Sequence, residues 1–156
     1  ALGHDLAVGR IEKGASTITQ QLAKNLFLTP ARTIGRKLEE AVIAWRLEQV
    51  LPKKRILELY LNAIELGPGI YGVAEAAQHY FGKDPAKLLP LEAAHLAALA
   101  PNPKLFAHRI EAVPGARERW LGHLHELLAM MARSHRLSPE EAEAARHHDL
   151  HLRPQG

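Results

Sequence analysis

The stretch RTIGRKLEEAVIAWRLEQVLPKKRILELYLNAIELGPG, residues 32–69, decides the fold class. Its apolar residues recur every three or four positions, so the pattern predicts one helix over 30–51 and a second that begins at Pro52. The second helix is expected to end at the 67–69 turn, where glycine permits a left-handed conformation. The first helix is apolar on most sides, and we therefore predict that it is buried. Its main stripe comprises Leu38, Ala41, Val42 and Trp45.

Helical signals continue on both sides of that stretch. Thr17 and Gln20 have the spacing of a capping box, which predicts a helix over 18–28 that ends at Thr29 and Pro30. No segment alternates with the period of a strand over a useful length. We therefore predict an all-α fold and a single domain over 1–156. The remaining predicted helices cover 73–80, 91–100 and 115–134, and a capping box at 138–141 opens a last one.

The composition limits the classes of function. The chain has 156 residues, of which 47% are apolar, and this is enough to bury a core. It contains no cysteine, which excludes disulfides, thiolate nucleophiles and cysteine-based metal sites. The net charge of +3 favours anionic partners such as phosphates or an anionic membrane surface, and nothing in it indicates nucleic acid. No apolar run reaches the roughly 18 residues that a membrane span needs.

The predicted helix over 18–28 carries an unusual polar strip. Thr17, Gln20, Gln21 and Lys24 lie three or four residues apart and therefore share one face. A solvated surface is the simpler interpretation of such a strip. Solvated faces, however, are usually built from Glu, Lys and Arg, and this strip offers uncharged hydrogen-bonding groups with one cation. It is therefore also a candidate binding face.

A second candidate group lies on the next helix, where Arg36 and Lys37 precede Glu40 by about one turn. A surface ion pair of this kind contributes only about 0.3 to 0.5 kcal/mol. Glu40, however, shares its face with Ile43, Ala44 and Leu47, which predicts a carboxylate in a partly apolar setting. Such a carboxylate is a candidate acid, base or charge stabiliser, and the sequence leaves these roles open.

The cations of the two helices suggest a ligand. If the chain folds back near Thr29, then Lys24, Arg36 and Lys37 converge, and a diphosphate fits such a cluster. We expect no metal ligands in the chain. The histidines at 147, 148 and 151 are interpreted as part of a solvated tail, because no second cluster of ligands accompanies them.

Three segments resemble successive motifs of one family. GASTITQQLAKN at 14–25, RKLEE at 36–40 and ILELYLNAIELGPGIYGVAEAAQHYFGK at 56–83 are similar to the peptidoglycan glycosyltransferases of family 51. These are the lipid II-polymerising domains of bifunctional penicillin-binding proteins and the monofunctional transglycosylases. The motifs lie within 14–108, and 114–150 reads as a helical C-terminal extension.

The resemblance implies a lysozyme-like helical fold that polymerises lipid II on the extracytoplasmic, periplasmic face of the cell membrane. It implies that Arg36 and Lys37 bind the donor diphosphate and that Glu40 is the family's second essential glutamate. Further substrate-binding residues implied in the same way are Thr17, Gln21, Lys24, Asn25 and Asn62. Family members often use a divalent cation, so Mg²⁺ or Mn²⁺ is an expected cofactor. The implied partners are lipid II, the growing glycan chain, the membrane surface and proteins of cell-wall synthesis and division, and not nucleic acid.

One family motif is missing. The Glu-Asp-x-x-Phe segment, whose glutamate acts as general base, does not occur in this sequence, which begins at Ala1. We expect this motif and a membrane anchor to lie upstream, outside the segment. The alternatives are a non-catalytic fragment that binds lipid II or another diphosphate lipid, a decayed remnant, or a basic helical domain that binds nucleic acid.

Overall fold

Helices make up most of the described chain, which comprises residues 17–27, 33–103 and 113–153 of a computed structural model. The predicted all-α class is therefore confirmed. Within these residues no helix has the length and apolarity needed to span a bilayer. The helices are α1 (Ile18–Phe27), α2 (Ile34–Val50), α3 (Lys53–Ala63), α4 (Val73–Phe81), α5 (Pro90–Leu99), α6 (Ala116–Arg133) and α7 (Pro139–Arg146), with a 3₁₀ turn at Pro85–Lys87 and two short strands, β1 (Glu65–Gly67) and β2 (Ile70–Tyr71).

The chain divides into two compact units, Ala1–Tyr60 and Leu61–Gly156. The predicted single domain over 1–156 stays a prediction. In the first unit α1 packs against α2. The capping box of α1 is confirmed, because Gln20 N donates to Thr17 Oγ1 at 3.2 Å and Thr17 N donates to Gln20 Oε1 at 3.3 Å. The predicted helix end at 28–30 lies outside the described residues.

The buried face of α2 differs from the predicted stripe. Leu38 is 64% exposed and Trp45 is 61% exposed, whereas Glu40 and Ala44 are buried. The prediction that α2 is buried on its apolar stripe is therefore wrong. The physical reason is that the ion-paired face of the helix lies inward. The cations beside Glu40 offset the hydration that this carboxylate loses on burial. Thr33 caps α2 at its start by accepting from Arg36 N at 3.2 Å.

The helix α3 ends at Ala63, before the predicted 67–69 turn. Ile64 and Leu66 are buried while Glu65 between them is only half-buried, which is the alternation of a strand. The strands β1 and β2 pair antiparallel, with Gly67 opposite Ile70. Pro68 and Gly69, which has a φ of 75°, suit the two central positions of a type II turn. The tight turn therefore takes the place of the last helical turn that the apolar spacing predicts.

In the second unit α5 is the central helix, because it packs against α4, α6, α7 and β1. Its buried His95 lies edge-on to the rings of Tyr80, Phe81 and Trp120. Trp120 Nε1 donates to His95 Nδ1 at 3.1 Å, which ties α6 to α5. The imidazole therefore acts as a neutral acceptor within an aromatic cluster.

The predicted boundaries of α4, α5 and α6 agree with the structure to within one residue. Gly82, with a φ of 64°, ends α4 in the left-handed conformation. Ser138 Oγ accepts from Glu141 N at 3.1 Å, and Glu141 Oε2 accepts from Ser138 N at 2.8 Å, so the predicted capping box of α7 is confirmed.

The turn after β2 requires glycine at position 72. Gly72 has a φ of 80°, and a Cβ at this position would lie 2.7 Å from the carbonyl oxygen of Asn62. Gly69 has a similar φ of 75° but open space around it.

We expect Gly69→Ala to lower the free energy of unfolding by roughly 1 to 2 kcal/mol through backbone strain alone. Gly72→Ala is expected to cost about 1 to 3 kcal/mol more through the added contact, as measured by urea unfolding. Equal losses in the two variants would contradict this account.

The buried imidazole predicts a specific pH dependence. Burial lowers the pKa of His95 from 6.5 to about 3. Between these values the unfolded chain binds a proton that the folded chain does not, so the free energy of unfolding falls as the pH decreases below 6.5. The slope from this residue is at most about 1.4 kcal/mol per pH unit. In urea unfolding between about pH 7 and pH 5, His95→Phe should therefore lose less stability than the unmodified chain, whereas the exposed control His148→Gln should not. Parallel pH profiles for His95→Phe and the unmodified chain would refute the prediction.

Candidate functional site

The centre of the candidate site is a carboxylate held between two cations of its own helix. Glu40 is 1% exposed. Its Oε1 accepts from Arg36 Nη1, and its Oε2 accepts from Lys37 Nζ at 2.6 Å. The Arg36 side chain is largely buried, and the Lys37 side chain is half exposed. One side of α2 therefore holds a buried anion, and Lys37 is the partner that reaches solvent.

The helical spacing of the sequence produces this arrangement. Residues three and four positions apart lie on neighbouring rows, so Arg36 and Lys37 both reach the carboxylate one turn later. Ala44 and the half-buried Ile43 and Leu47 continue the same side of α2. The predicted partly apolar setting of Glu40 is confirmed by its burial.

The energetics of this cluster follow from its burial. An ion taken out of water loses hydration, and only close partners and good hydrogen bonds offset that loss. Glu40 has both, because each of its oxygens accepts from a different cation. Of the five N–H donors of Arg36, the one on Nε is buried and makes no hydrogen bond in the described part of the chain.

The polar strip of α1 is the second part of the site. Its Gln21 is half-buried, and its Oε1 accepts a hydrogen bond of 2.8 Å from the hydroxyl of Tyr60 on α3. Burial raises the pKa of Tyr60, so the phenol stays protonated and able to donate. Lys24 and Asn25, on the next turn of α1, are exposed. The strip is therefore exposed at Thr17 and Lys24 and fixed between them at the half-buried Gln21.

The sequence-predicted residues fall into two groups. The first unit contains all but one of them: Thr17, Gln21, Lys24, Asn25, Arg36, Lys37 and Glu40. Asn62 belongs to the second unit, where it is exposed at the end of α3, so its assignment rests on the resemblance alone. Sequence reasoning missed Tyr60. Its contact with Gln21 spans 39 positions, and helical spacing carries no signal for a pairing that distant.

The described side chains do not form a metal site. Both oxygens of Glu40 are occupied by cations, which would repel a divalent ion at the same carboxylate. Within residues 17–27, 33–103 and 113–153 there is no group of three or more His, Cys, Asp or Glu residues that could hold a metal ion.

A family model and the curated relatives described below match this chain to transglycosylases. The sequence model of the Transglycosylase family matches residues 1–131. A biosynthetic peptidoglycan transglycosylase of Methylobacillus flagellatus is 53% identical over 104 residues, which are 67% of this chain and 45% of that protein. A protein of the same name from Bordetella pertussis is 46% identical over 125 residues, covering 80% of this chain and 48% of that protein. The chain thus spans less than half the length of these curated relatives.

A solved structure gives an independent match. Penicillin-Binding Protein 1A from Haemophilus influenzae matches with a TM-score of 0.55 and 26% sequence identity, over 90% of this chain and 17% of that protein. Together with the helical content, this likeness supports the predicted lysozyme-like helical fold.

The burial of Glu40 can be tested with a matched pair of substitutions. Glu40→Gln removes the anion between two cations and leaves Arg36 buried without its counterion, so we expect the free energy of unfolding to fall by about 3 kcal/mol. Glu58→Gln removes the carboxylate of the exposed pair with Arg55 and should cost less than about 1 kcal/mol. Urea unfolding at one pH and salt concentration measures both. Similar losses in the two variants would show that the Glu40 cluster contributes no more than a surface ion pair.

Proposed function

This chain belongs to the transglycosylase family, and we propose on that premise that it is a peptidoglycan glycosyltransferase acting on lipid II. The observation that carries the proposal is the Glu40 cluster with its two cations, which lies within the matched region and on one helix. Arg36 and Lys37 carry two positive charges against the one negative charge of Glu40, so the cluster has a surplus of one. That surplus suits an anionic diphosphate.

The proposed reaction is glycan transfer with diphosphate as the leaving group. The acceptor hydroxyl attacks the anomeric carbon of the donor, a new glycosidic bond forms, and the bond between that carbon and the diphosphate oxygen breaks. The hydroxyl proton passes to a general base, and negative charge develops on the diphosphate. Fixed donors directed at developing charge are the largest single contribution in many enzymes, and removing one typically costs 10²- to 10³-fold in rate.

Each candidate site residue has a role in this scheme. Lys24 on α1, with Arg36 and Lys37 on α2, stabilises the leaving diphosphate. Glu40 holds the two α2 cations in place and is a positioning group in its observed geometry, because both of its oxygens accept from cations. Thr17, Gln21 and Asn25 offer neutral hydrogen bonds to sugar and phosphate oxygens, and Asn62 is assigned to substrate binding on the resemblance.

The general base and the cellular setting belong to the same proposal. The base is the glutamate of the Glu-Asp-x-x-Phe motif, which this sequence does not contain. Proton transfer by a positioned base typically contributes 10²- to 10⁴-fold. We place the reaction at the cell envelope, on the extracytoplasmic face of the membrane that holds lipid II, with proteins of cell-wall synthesis and division as partners. A requirement for Mg²⁺ or Mn²⁺ stays a prediction, without assigned ligands.

The proposal is tested by measuring lipid II binding and glycan polymerisation on the same sample of the chain. We expect binding without efficient polymerisation, because the charged groups are present and the general base is not. Lys24→Ala should raise the Kd for lipid II about tenfold, which is the loss of one charge-assisted hydrogen bond.

The control is Lys54→Ala, which removes the same charge from an exposed position at the start of α3. It should leave the Kd within about twofold of the unmodified chain, as surface charges of this kind contribute little. Equal losses in the two variants would reduce the interaction to non-specific attraction between charges. An absence of lipid II binding by the unmodified chain would reject the proposed site.

A further inference from the structure

We propose that Tyr60 is a positioning residue that orients the side-chain amide of Gln21, so that its two N–H donors face the ligand. The identity of the ligand rests on the proposed function. The contact itself, however, is a feature of the free protein and can be tested without any ligand.

The observation is a single hydrogen bond between two helices. The Tyr60 hydroxyl lies 2.8 Å from Gln21 Oε1, and Tyr60 itself is 7% exposed. Gln21 lies on the polar strip of α1, on the side opposite the buried Leu22 and Ala23. A buried tyrosine therefore reaches a polar face, which packing of the apolar sides alone does not require.

The direction of this bond determines which end of the amide remains available. A phenol hydroxyl has one hydrogen to donate, and here it is directed at the carbonyl oxygen of the amide. The amide group is planar, so fixing Oε1 on the tyrosine places Nε2 on the other side. Gln21 then presents two N–H donors along the strip that also carries Lys24.

A fixed donor is better suited to a diphosphate sugar than a rotating amide. Phosphate oxygens and sugar hydroxyl oxygens accept hydrogen bonds, and an amide that rotates freely presents its own oxygen to them part of the time. Holding the donor in place beforehand avoids the entropic cost of ordering it on binding. For one neutral hydrogen bond this predicts about a 3- to 10-fold effect on affinity.

A purely structural role for the bond makes a different prediction. If the bond only joined α3 to α1, Tyr60→Phe and Gln21→Leu would be coupled in their effects on stability, and Tyr60→Phe would leave the ligand affinity unchanged. If Tyr60 acts through the amide, its effect on ligand affinity disappears once the amide is gone. A double-mutant cycle separates these alternatives.

The experiment measures the Kd of a water-soluble short-chain analogue of lipid II for the chain and its variants. We expect Tyr60→Phe to raise the Kd about 3- to 10-fold and Gln21→Leu to raise it at least as much. In the Gln21→Leu background, Tyr60→Phe should have no further effect.

The matched control is Tyr80→Phe, which removes another buried phenol hydroxyl. Tyr80 donates to the carbonyl oxygen of Leu66 at 3.0 Å in the second unit. Its effect on the Kd, whatever its size, should be the same with Gln21 or Leu at position 21. Coupling of Tyr80 to position 21 as large as that of Tyr60, or an undiminished effect of Tyr60→Phe in the Gln21→Leu background, would overturn the proposal.

A second readout separates failure of this inference from failure of the proposed function. The side-chain NH₂ resonances of Gln21, assigned by their loss in Gln21→Leu, should shift in the free protein on Tyr60→Phe and not on Tyr80→Phe. Unchanged resonances in Tyr60→Phe would overturn the inference even if the analogue binds. Shifted resonances in a chain that does not bind the analogue would support the orientation of the amide and reject the proposed substrate.

Discussion

Burial of the Glu40 carboxylate is the constraint on which the first unit depends. A carboxylate that is 1% exposed is stable only with close counterions, and here both come from the preceding turn of the same helix. This requirement decides which side of α2 faces inward. It places a fixed arginine and a lysine at the edge of the buried side, and it leaves the more apolar stripe of Leu38 and Trp45 outside. The two ion pairs offset the loss of hydration on this side, so a charged residue faces inward while the more apolar stripe is exposed.

Helix ends could be predicted from short sequence patterns, whereas the orientation of a helix could not. Capping boxes at Thr17 and Ser138 and the glycine at 82 fix helix ends through local hydrogen bonds and backbone conformation, and local chemistry is readable from short spacings. The partly apolar setting of Glu40 was also predictable, because Ala44 and its neighbours share its face. The orientation of α2 was not, since apolar counting gives no weight to an ion pair that makes a charged face the inner one.

Two other features could not be predicted from the sequence, for a different reason. The strand pair after α3 arises because a Pro-Gly turn competes with a helical pattern that continues up to it, and the tertiary contacts of Ile64 and Leu66 decide the outcome. The bond from Tyr60 to Gln21 joins helices far apart in the chain, where no periodicity relates the partners. Helical spacing identified the residues of the polar strip, but only the geometry shows how Gln21 is held.

The contrasting settings of the two tryptophans have an optical consequence. The chain contains two tryptophans, one in each unit: Trp45 is 61% exposed on α2, whereas the indole of Trp120 is partly shielded and hydrogen-bonded to His95. An indole in water emits at longer wavelength than one in an apolar cluster. Trp45 therefore contributes the red side of the intrinsic fluorescence spectrum and Trp120 the blue side. Each unit thus carries its own spectroscopic reporter, and their folding can be followed separately without any added dye.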